Sequence, residues 1–191
     1  MSAAPAIPCG VRVLVFATLA ALAAGCMSAG APTVPVVWAV DLPRFMGAWY
    51  VIASIPSYPE RDAYDAVESY ELRPDGRIQT TFRYRKGSFE APLKTMRPVG
   101  TVVPGTGNAV WGMQFIWPIK AEYVISYLDP DYAETIIARS KRDYAWIMAR
   151  TPEISEAAYA ADVERLKAMG YDASKLRNVP QRARENGHPL R

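Results

Sequence analysis

The stretch Phe45-Met46-Gly47-Ala48-Trp49-Tyr50 decides how the rest of this chain is interpreted. It opens the first predicted β-strand with a Gly-x-Trp pattern. Far along the chain, Trp146-Ile147-Met148-Ala149-Arg150-Thr151-Pro152 closes the last predicted strand with an arginine. A guanidinium group can lie flat on an indole ring and bind to it. We therefore expect Arg150 to pack on Trp49 at the closed floor of a β-barrel.

The N-terminal residues carry an export signal that precedes the fold. The apolar run from Val13 to Gly25 is too short to span a bilayer and has the length of a signal-peptide core. Leu22-Ala23-Ala24-Gly25-Cys26 resembles a bacterial lipobox, whose cysteine is lipidated before cleavage. We expect a lipoprotein signal peptide over 1–25, a lipidated Cys26 and a flexible tether over 26–40. The alternative is an ordinary secretory signal with an incidental cysteine.

The cysteine content and the net charge argue against several classes of function. The two cysteines are Cys9, in the expected signal, and Cys26, so the mature domain has neither a disulfide nor a thiol nucleophile. The formal net charge of +3 is too small for a continuous nucleic-acid-binding face. No metal-ligand spacing or glycine-rich phosphate loop occurs, so we expect neither a metal nor a cofactor. The only histidine, His188, lies in a basic tail that we expect to be disordered.

Short segments rich in Val, Ile, Tyr, Phe and Thr follow the tether, separated by Gly, Pro and Asp. This pattern is typical of antiparallel all-β proteins, and Arg73-Pro74-Asp75-Gly76-Arg77 predicts a tight hairpin turn. We expect an eight-stranded antiparallel up-and-down barrel, or calyx, which leaves no unpaired edges. One C-terminal α-helix, capped by Ser155, running to about Ala168 and stopped by Gly170, should pack outside it. The predicted strands are 48–55, 65–73, 77–85, 93–103, 109–116, 121–128, 133–139 and 144–150.

Three motifs in this order resemble those of the lipocalin family. Gly47-Ala48-Trp49 matches the first, Asp129-Pro130-Asp131-Tyr132 the second with Pro130 in place of Thr, and Ala149-Arg150-Thr151-Pro152 the third. Within the family, the sequence resembles the bacterial outer-membrane lipoprotein lipocalins and the animal apolipoprotein D. The resemblance implies a lipocalin domain over about 41–180, followed by the basic tail over 181–191. It also implies structural roles for Gly47, Trp49, Asp131, Tyr132 and Arg150.

Strand order predicts which connections rim the open end. With Trp49 at the closed end, the connections at about 54–64, 86–92, 117–120 and 140–143 surround the mouth, and the first is expected to form a lid. Period-two alternation and alignment to the family predict an aromatic and aliphatic lining, completed by Thr80, Ile136, Ala138 and Met148. Any one ring in it could equally be plain core packing. The expected ligand-binding residues are Glu68, Tyr70, Phe82, Tyr84, Trp111, Met113, Phe115, Trp117, Tyr123, Ile125, Tyr127, Tyr144 and Trp146.

This lining suits a single-chain amphiphile, because each buried methylene contributes about 0.8 kcal/mol. The expected partners are a fatty acid or lysophospholipid in the barrel and a membrane through lipidated Cys26. No nucleic-acid partner is expected, and the residues leave open whether the chain forms a homodimer. An anionic headgroup would be favoured by cations predicted at the rim. They are Arg61, Arg85, Lys86, Lys120, Arg139, Lys141 and Arg142.

The resemblance implies a membrane-anchored lipid-binding protein on the periplasmic face of the outer membrane, which stores or transports lipid in envelope maintenance. We expect that the protein is not an enzyme and has no catalytic residues. Two alternatives stay open: a lipocalin-fold enzyme that acts on a lipid, with Glu68 or a tyrosine as acid-base group, and a scaffold lipoprotein with a vestigial cavity.

Overall fold

The computed structural model describes residues 32–182, so the expected signal peptide, Cys26 and the tail from residue 183 lie outside the described residues. Within these described residues, ten strands form one antiparallel sheet, accompanied by two α-helices and two short 3-10 turns at Tyr58–Glu60 and Ala173–Lys175. The helices are α1 (Leu42–Phe45) and α2 (Glu156–Ala168). The strands are β1 (Gly47–Ile55), β2 (Ala63–Leu72), β3 (Ile78–Lys86), β4 (Leu93–Met96), β5 (Val99–Val102), β6 (Val110–Ile116), β7 (Ile119–Leu128), β8 (Glu134–Ala138), β9 (Ala145–Ala149) and β10 (Arg177–Asn178).

The sheet is the expected eight-position barrel. Strands follow their sequence order, and the pairing of β1 with β9 closes the cylinder. Strands β4 and β5 share one position because both pair with β3. The break between them, at Arg97 and Pro98, interrupts the predicted strand 93–103, since proline has no N–H to donate to a neighbouring strand. The short β10 adds to the end of β1.

A short helix and the segment before it cover the closed end. Asp41 caps α1, with its carboxylate accepting the backbone N–H of Arg44 at 3.3 Å. The ring of Phe45, at the end of α1, is fully buried. The described part of the expected tether, 32–40, lies along the barrel, because Val37 donates its N–H to the carbonyl of Ile125 at 3.1 Å.

The expected helix outside the barrel is confirmed as α2. The Ser155 hydroxyl accepts the backbone N–H of Ala158 at 3.1 Å, and Gly170 adopts a positive φ of 85° just beyond the helix. Leu166 is fully buried against the barrel wall. No helix within residues 32–182 has the length and apolar character needed to cross a bilayer.

Apolar side chains form two clusters, one inside the barrel and one between the barrel and α2. Two β-bulges decide which strand residues join which cluster. One follows Val51, so that Val51 faces inward and Ala53 outward; the other follows Ile125, so that Ile125 faces inward and Tyr127 outward. A bulge places an extra residue in one strand, and the alternation of faces shifts by one beyond it. We call the two groups the inner cluster and the outer cluster.

Candidate ligand-binding site

Trp49 and Arg150 form the floor of the barrel. The guanidinium carbon of Arg150 lies 3.8 Å from the centre of the Trp49 ring. The same guanidinium donates hydrogen bonds to backbone carbonyls, including that of Arg44 at 2.7 Å and that of Phe45 at 3.1 Å. Gly47 has a φ of 92°, a backbone conformation that strains any residue with a side chain, and a Cβ added there would contact Arg150 Nη1 at 3.4 Å. The glycine of the Gly-x-Trp pattern is thus explained mainly by its backbone conformation.

The turn carrying the second motif fastens the N-terminal segment to the closed end. Tyr132 Oη accepts the backbone N–H of Asp41 at 2.9 Å, and the Arg44 guanidinium carbon lies 4.1 Å from the centre of the Tyr132 ring. The turn itself is held by Asp129, whose carboxylate accepts the N–H of Asp131 at 2.9 Å. The Asp131 side chain is on the exposed surface.

A layer of aromatic rings lies directly above the floor. Trp111 stacks on Tyr123 with ring centres 5.0 Å apart, and Tyr70 meets Trp111 edge-on at 5.6 Å. The hydroxyl oxygens of Tyr70 and Tyr123 are 2.6 Å apart. Burial, reinforced by the nearby charge of Glu68, raises the pKa of both tyrosines well above the usual value. Both phenols therefore remain neutral hydrogen-bonding groups at any physiological pH.

Glu68 faces the interior of the barrel. It pairs directly with Trp49 on one side and with Phe82 on the other, and paired residues in antiparallel strands project to the same face. The Tyr70 hydroxyl donates a hydrogen bond to Glu68 Oε2. Burial raises the pKa of Glu68 to about 7; Glu60 adds to this increase, and the Tyr70 hydrogen bond opposes it. Burial therefore favours the protonated carboxyl far more than it is favoured in water.

The upper wall leaves accessible space above the aromatic layer. Phe82 and Tyr84 stack with ring centres 4.9 Å apart, and Met96 lies directly across from Phe82. Met96 and Trp146 contact the inner cluster but are only half-buried, as is Glu68. Because all three point inward, their remaining accessible surface borders a space inside the barrel. We call this space the hollow.

The mouth loop, residues 56–62, brings a carboxyl group over the hollow. Glu60 is only 8% exposed, and its Oε2 accepts the indole N–H of Trp146 at 3.2 Å. Burial raises the pKa of Glu60, although hydrogen bonds from Trp146 and Ser57 oppose the increase. Glu60 was not among the site residues predicted from the sequence. No local pattern distinguishes an acid that folds inward from a solvated one.

Lys94 is a second residue that sequence analysis missed. It pairs with Tyr84, so its exposed side chain stands on the inward face of the sheet, at the mouth. Two of the predicted rim cations lie close by on the mouth loop and β3. The Arg61 guanidinium carbon and Lys86 Nζ lie 5.1 Å and 5.6 Å from the centre of the Tyr58 ring. The mouth thus combines exposed cations with an exposed aromatic ring.

Three other predicted rim cations are engaged within the protein. Arg85 lies 3.6 Å from the carboxylate of Asp65, and Arg139 lies 3.3 Å from that of Asp143. Arg142 donates through Nε to a backbone carbonyl at 2.6 Å. Fewer cations are therefore available to a ligand at the mouth than the sequence suggests.

Three residues expected to face inward face outward. Tyr127, Ile136 and Ala138 belong to the outer cluster under α2, and the Arg165 guanidinium carbon lies 3.9 Å from the centre of the Tyr127 ring. The placement of Tyr127 was wrong because the bulge after Ile125 reverses the faces of the β7 residues beyond it. Ile136 and Ala138 were assigned to the wrong face because the register of β8 differs by one residue from the expected one, so that Ile137 faces inward.

Three more expected lining residues lie at the rim. Phe115 and Trp117 are 53% and 83% exposed at the tip of the β6–β7 hairpin, because a bulge interrupts the pairing there and the turn projects from the barrel. Tyr144 precedes β9 and borders a surface groove beside Pro56 and Leu176. None of the three is buried in the inner cluster, and the Tyr144 ring lies 6.4 Å, centre to centre, from that of Trp146.

The remaining expected residues come together inside the barrel, as the alternation predicts. They surround the hollow or lie beneath it, so the interior can enclose an apolar molecule and offer it a few neutral hydrogen-bonding groups. Within residues 32–182, no group of His, Cys, Asp and Glu side chains could hold a metal ion. The buried residues are Tyr70, Thr80, Phe82, Tyr84, Trp111, Met113, Tyr123, Ile125 and Met148, with Glu68 and Trp146 half-buried.

Comparison with known proteins agrees with this geometry. A family model described as a lipocalin-like domain matches residues 40–181. Temperature-induced lipocalin-1 of Arabidopsis thaliana is 34% identical, over 76% of this chain and 82% of the relative. The outer membrane lipoprotein Blc of Citrobacter freundii is 31% identical, over 88% of this chain and 96% of the relative. Insecticyanin of the tobacco hornworm shares the fold with a TM-score of 0.61 at 18% identity, covering 78% of this chain and 84% of that structure. This chain therefore belongs to the lipocalin family, with bacterial Blc lipoproteins among its relatives.

Proposed function

We propose that this protein holds a single-chain amphiphile, a fatty acid or a lysophospholipid, with its acyl chain in the hollow and its headgroup at the mouth. The family and the fold support the coarser statement, that the protein binds a small hydrophobic molecule. The observation that carries the finer proposal is the accessible inward surface of Glu68, Met96 and Trp146, above a sealed floor.

The walls of the hollow favour an acyl tail. Met96 and Trp146 present accessible apolar surface there, and each methylene moved against it from water contributes about 0.8 kcal/mol before the costs of immobilisation. The buried polar group beneath, Glu68, is already bonded to Tyr70. In its protonated state it places no charge against the tail.

The mouth favours a negatively charged headgroup. Lys94 is exposed on the inward face, and Arg61 and Lys86 lie on either side of Tyr58. Ammonium and guanidinium groups form their stronger hydrogen bonds with carboxylate and phosphate oxygens. A headgroup held there keeps its charge in water while its tail is buried.

We place the protein at the outer membrane, anchored through lipid on Cys26 with the barrel on the periplasmic side, where it would store or carry single-chain lipids in envelope maintenance. The support is the lipobox-like stretch 22–26 and the relatives named as outer membrane lipoproteins. Metabolic labelling with an alkyne fatty acid should modify the wild-type protein and fail with Cys26→Ser. Labelling of that variant at the wild-type level would contradict the anchor.

The ligand proposal is tested by filling the hollow. Met96→Trp adds bulk on the inward face of β4, whereas Thr95→Trp adds the same side chain on its exposed outer face. In titrations with palmitate and lysophosphatidylglycerol, we expect Met96→Trp to bind at least about tenfold more weakly than wild type. Thr95→Trp should bind as wild type does. Equal affinity in both variants would show that the tail does not occupy the hollow.

One observation favours testing an enzymatic role as well. Glu68 has a pKa of about 7 and accepts a hydrogen bond from Tyr70, as a general acid-base group would. If the protein transforms its lipid, turnover by the wild-type protein should be measurable by mass spectrometry and lost in Glu68→Gln. A binding protein would return the lipid unchanged in both cases.

A further inference from the structure

An apolar surface projects from the open end of the barrel. Ile116, Trp117 and Ile119 are 73%, 83% and 70% exposed, and Phe115 is 53% exposed. Ile116 pairs with Ile119 across the turn, so these side chains form one contiguous projection, which we call the hairpin tip. Water-exposed apolar groups concentrated in this way mark a surface that meets a partner.

The chain enters the described domain at the same end. Thr33 donates its N–H to Ser140 Oγ at 2.9 Å, and Arg142 Nη2 donates to the Thr33 carbonyl at 3.0 Å. Ser140 and Arg142 belong to the connection between β8 and β9, which lies at the mouth. From Thr33 back to Cys26 the chain can extend at most about 25 Å. A lipid on Cys26 therefore keeps the mouth, rather than the floor, near the membrane.

Exposed cations outnumber exposed acids at the open end, where the exposed residues include Arg61, Lys86, Lys94, Lys120 and Lys141 against Asp62, Glu90 and Asp143. At the closed end the charges are balanced more evenly, because exposed Arg44 and Arg77 accompany the acids there and Arg77 is paired with Asp75 at 2.6 Å. The surface of a membrane with anionic lipids attracts the cations of the open end.

We propose that the open end of the barrel docks on a phospholipid bilayer that contains anionic lipid, with the hairpin tip inserted between the headgroups. This inference rests on the anchor in the proposed function and adds an orientation to it. Aromatic and aliphatic side chains at a membrane surface bury their apolar parts among the headgroups and upper acyl chains. With the mouth facing the bilayer, a single-chain lipid can pass into the hollow without crossing open water.

Two tryptophans on opposite ends make the orientation measurable. Trp117 is 83% exposed at the tip, and Trp38 is 96% exposed beside Gly107 at the closed end. We would reconstitute the mature lipoprotein into vesicles of phosphatidylethanolamine and phosphatidylglycerol that carry brominated acyl chains, which quench nearby indoles. Trp117→Phe should lose most of the quenching, and Trp38→Phe should keep it. Quenching that disappears with Trp38→Phe instead, or no quenching in the wild-type protein, would overturn the proposal.

A second pair of measurements separates the possible failures. Ile116→Ser combined with Ile119→Ser should reduce quenching of Trp117 while leaving palmitate affinity unchanged. If this variant instead turns a dimer into a monomer and leaves the quenching intact, the tip is an interface between two copies and the docking proposal is wrong. Vesicle flotation tests the anchor separately: a protein that floats but lacks Trp117 quenching contradicts only the docking. A protein that does not float contradicts both.

Discussion

Arg150 and Trp49, separated by 101 positions in the sequence, are held with the guanidinium carbon 3.8 Å from the ring centre. The arginine also binds backbone carbonyls of the segment that contains α1. One side chain thus joins β1, the end of β9 and α1. It closes the barrel at one end, and the mouth remains as the entrance to the hollow.

This closure predicts a large loss of stability in Arg150→Met. The variant keeps an apolar contact with Trp49 but loses the charge and its hydrogen bonds, so we expect the free energy of unfolding to fall by roughly 2 to 4 kcal/mol. Urea unfolding followed by circular dichroism measures the change. Lys141→Met, at an exposed rim position, serves as the control and should change it by less than about 0.5 kcal/mol. Equal stability of the two variants would contradict the role of Arg150.

Glu68 predicts a pH dependence of stability. Its pKa rises from the ordinary value of 4.5 to about 7 on folding, mainly because of burial, so between these values the folded protein binds more protons than the unfolded chain. The free energy of unfolding must therefore decrease as pH rises from about 4.5 to about 7, by at most about 3 kcal/mol. Glu68→Gln should flatten this decrease in urea unfolding at a series of pH values.

The matched control for that experiment is Glu71→Gln. Glu71 lies on the same strand, but its side chain is exposed at the closed end of the barrel. It should retain the wild-type decrease. Part of the decrease will persist even in Glu68→Gln, because burial also raises the pKa of Asp162, to about 6, and that of Glu60. A slope in Glu68→Gln as steep as that of the wild-type protein would show that folding does not raise the pKa of Glu68.

The position of Lys94 predicts headgroup selectivity. Lys94→Glu replaces a cation by an anion on the inward face of the mouth, so lysophosphatidylglycerol should bind about three- to tenfold more weakly. A neutral monoacylglycerol should be almost unaffected, and added salt should reduce the difference. Competition against a fluorescent fatty acid measures both ligands. Lys141→Glu changes the same charge at a rim position distant from β4, and an equal loss there would contradict a specific role for Lys94.

The contact between Glu60 and Trp146 predicts that the mouth loop controls ligand release. Trp146→Phe removes the indole N–H that the carboxyl accepts at 3.2 Å, and the mouth loop should then open more often. Losing one such hydrogen bond corresponds to about a threefold or greater increase in ligand release. Hydrogen exchange of residues 57–62 and stopped-flow release of a fluorescent fatty acid report the two effects. Unchanged exchange in this loop would show that the hydrogen bond does not hold it closed.

The barrel, the outer helix and the floor could be predicted from the sequence because each is marked by a strong local sequence pattern. Gly47 and Trp49 form a compact motif, and Ser155 and Gly170 are effective helix boundaries. The break at Pro98 could have been foreseen, since a proline within a strand removes a hydrogen-bond donor.

The errors in the lining are errors of strand register. Period-two alternation is reliable only as far as the next bulge, and no residue near Ile125 predicts the bulge that turns Tyr127 outward. In β8 the alternation is regular, but the sequence does not fix which face comes first, so Ile136 and Ala138 were assigned to the wrong side. Glu60 and Lys94 were missed for a related reason. Their orientation follows from how a loop folds back and how β4 aligns with β3, and both depend on contacts distant in sequence.

The most direct measurement of the central claim is photo-crosslinking with a fatty acid that carries a diazirine at the end of its tail. If the acyl chain enters the hollow, the label should attach to peptides that contain inner-wall residues such as Phe82, Trp111 and Met113, and excess palmitate should abolish it. Labelling confined to outer-cluster residues such as Tyr127 and Ile136, or labelling that palmitate does not compete away, would contradict the account.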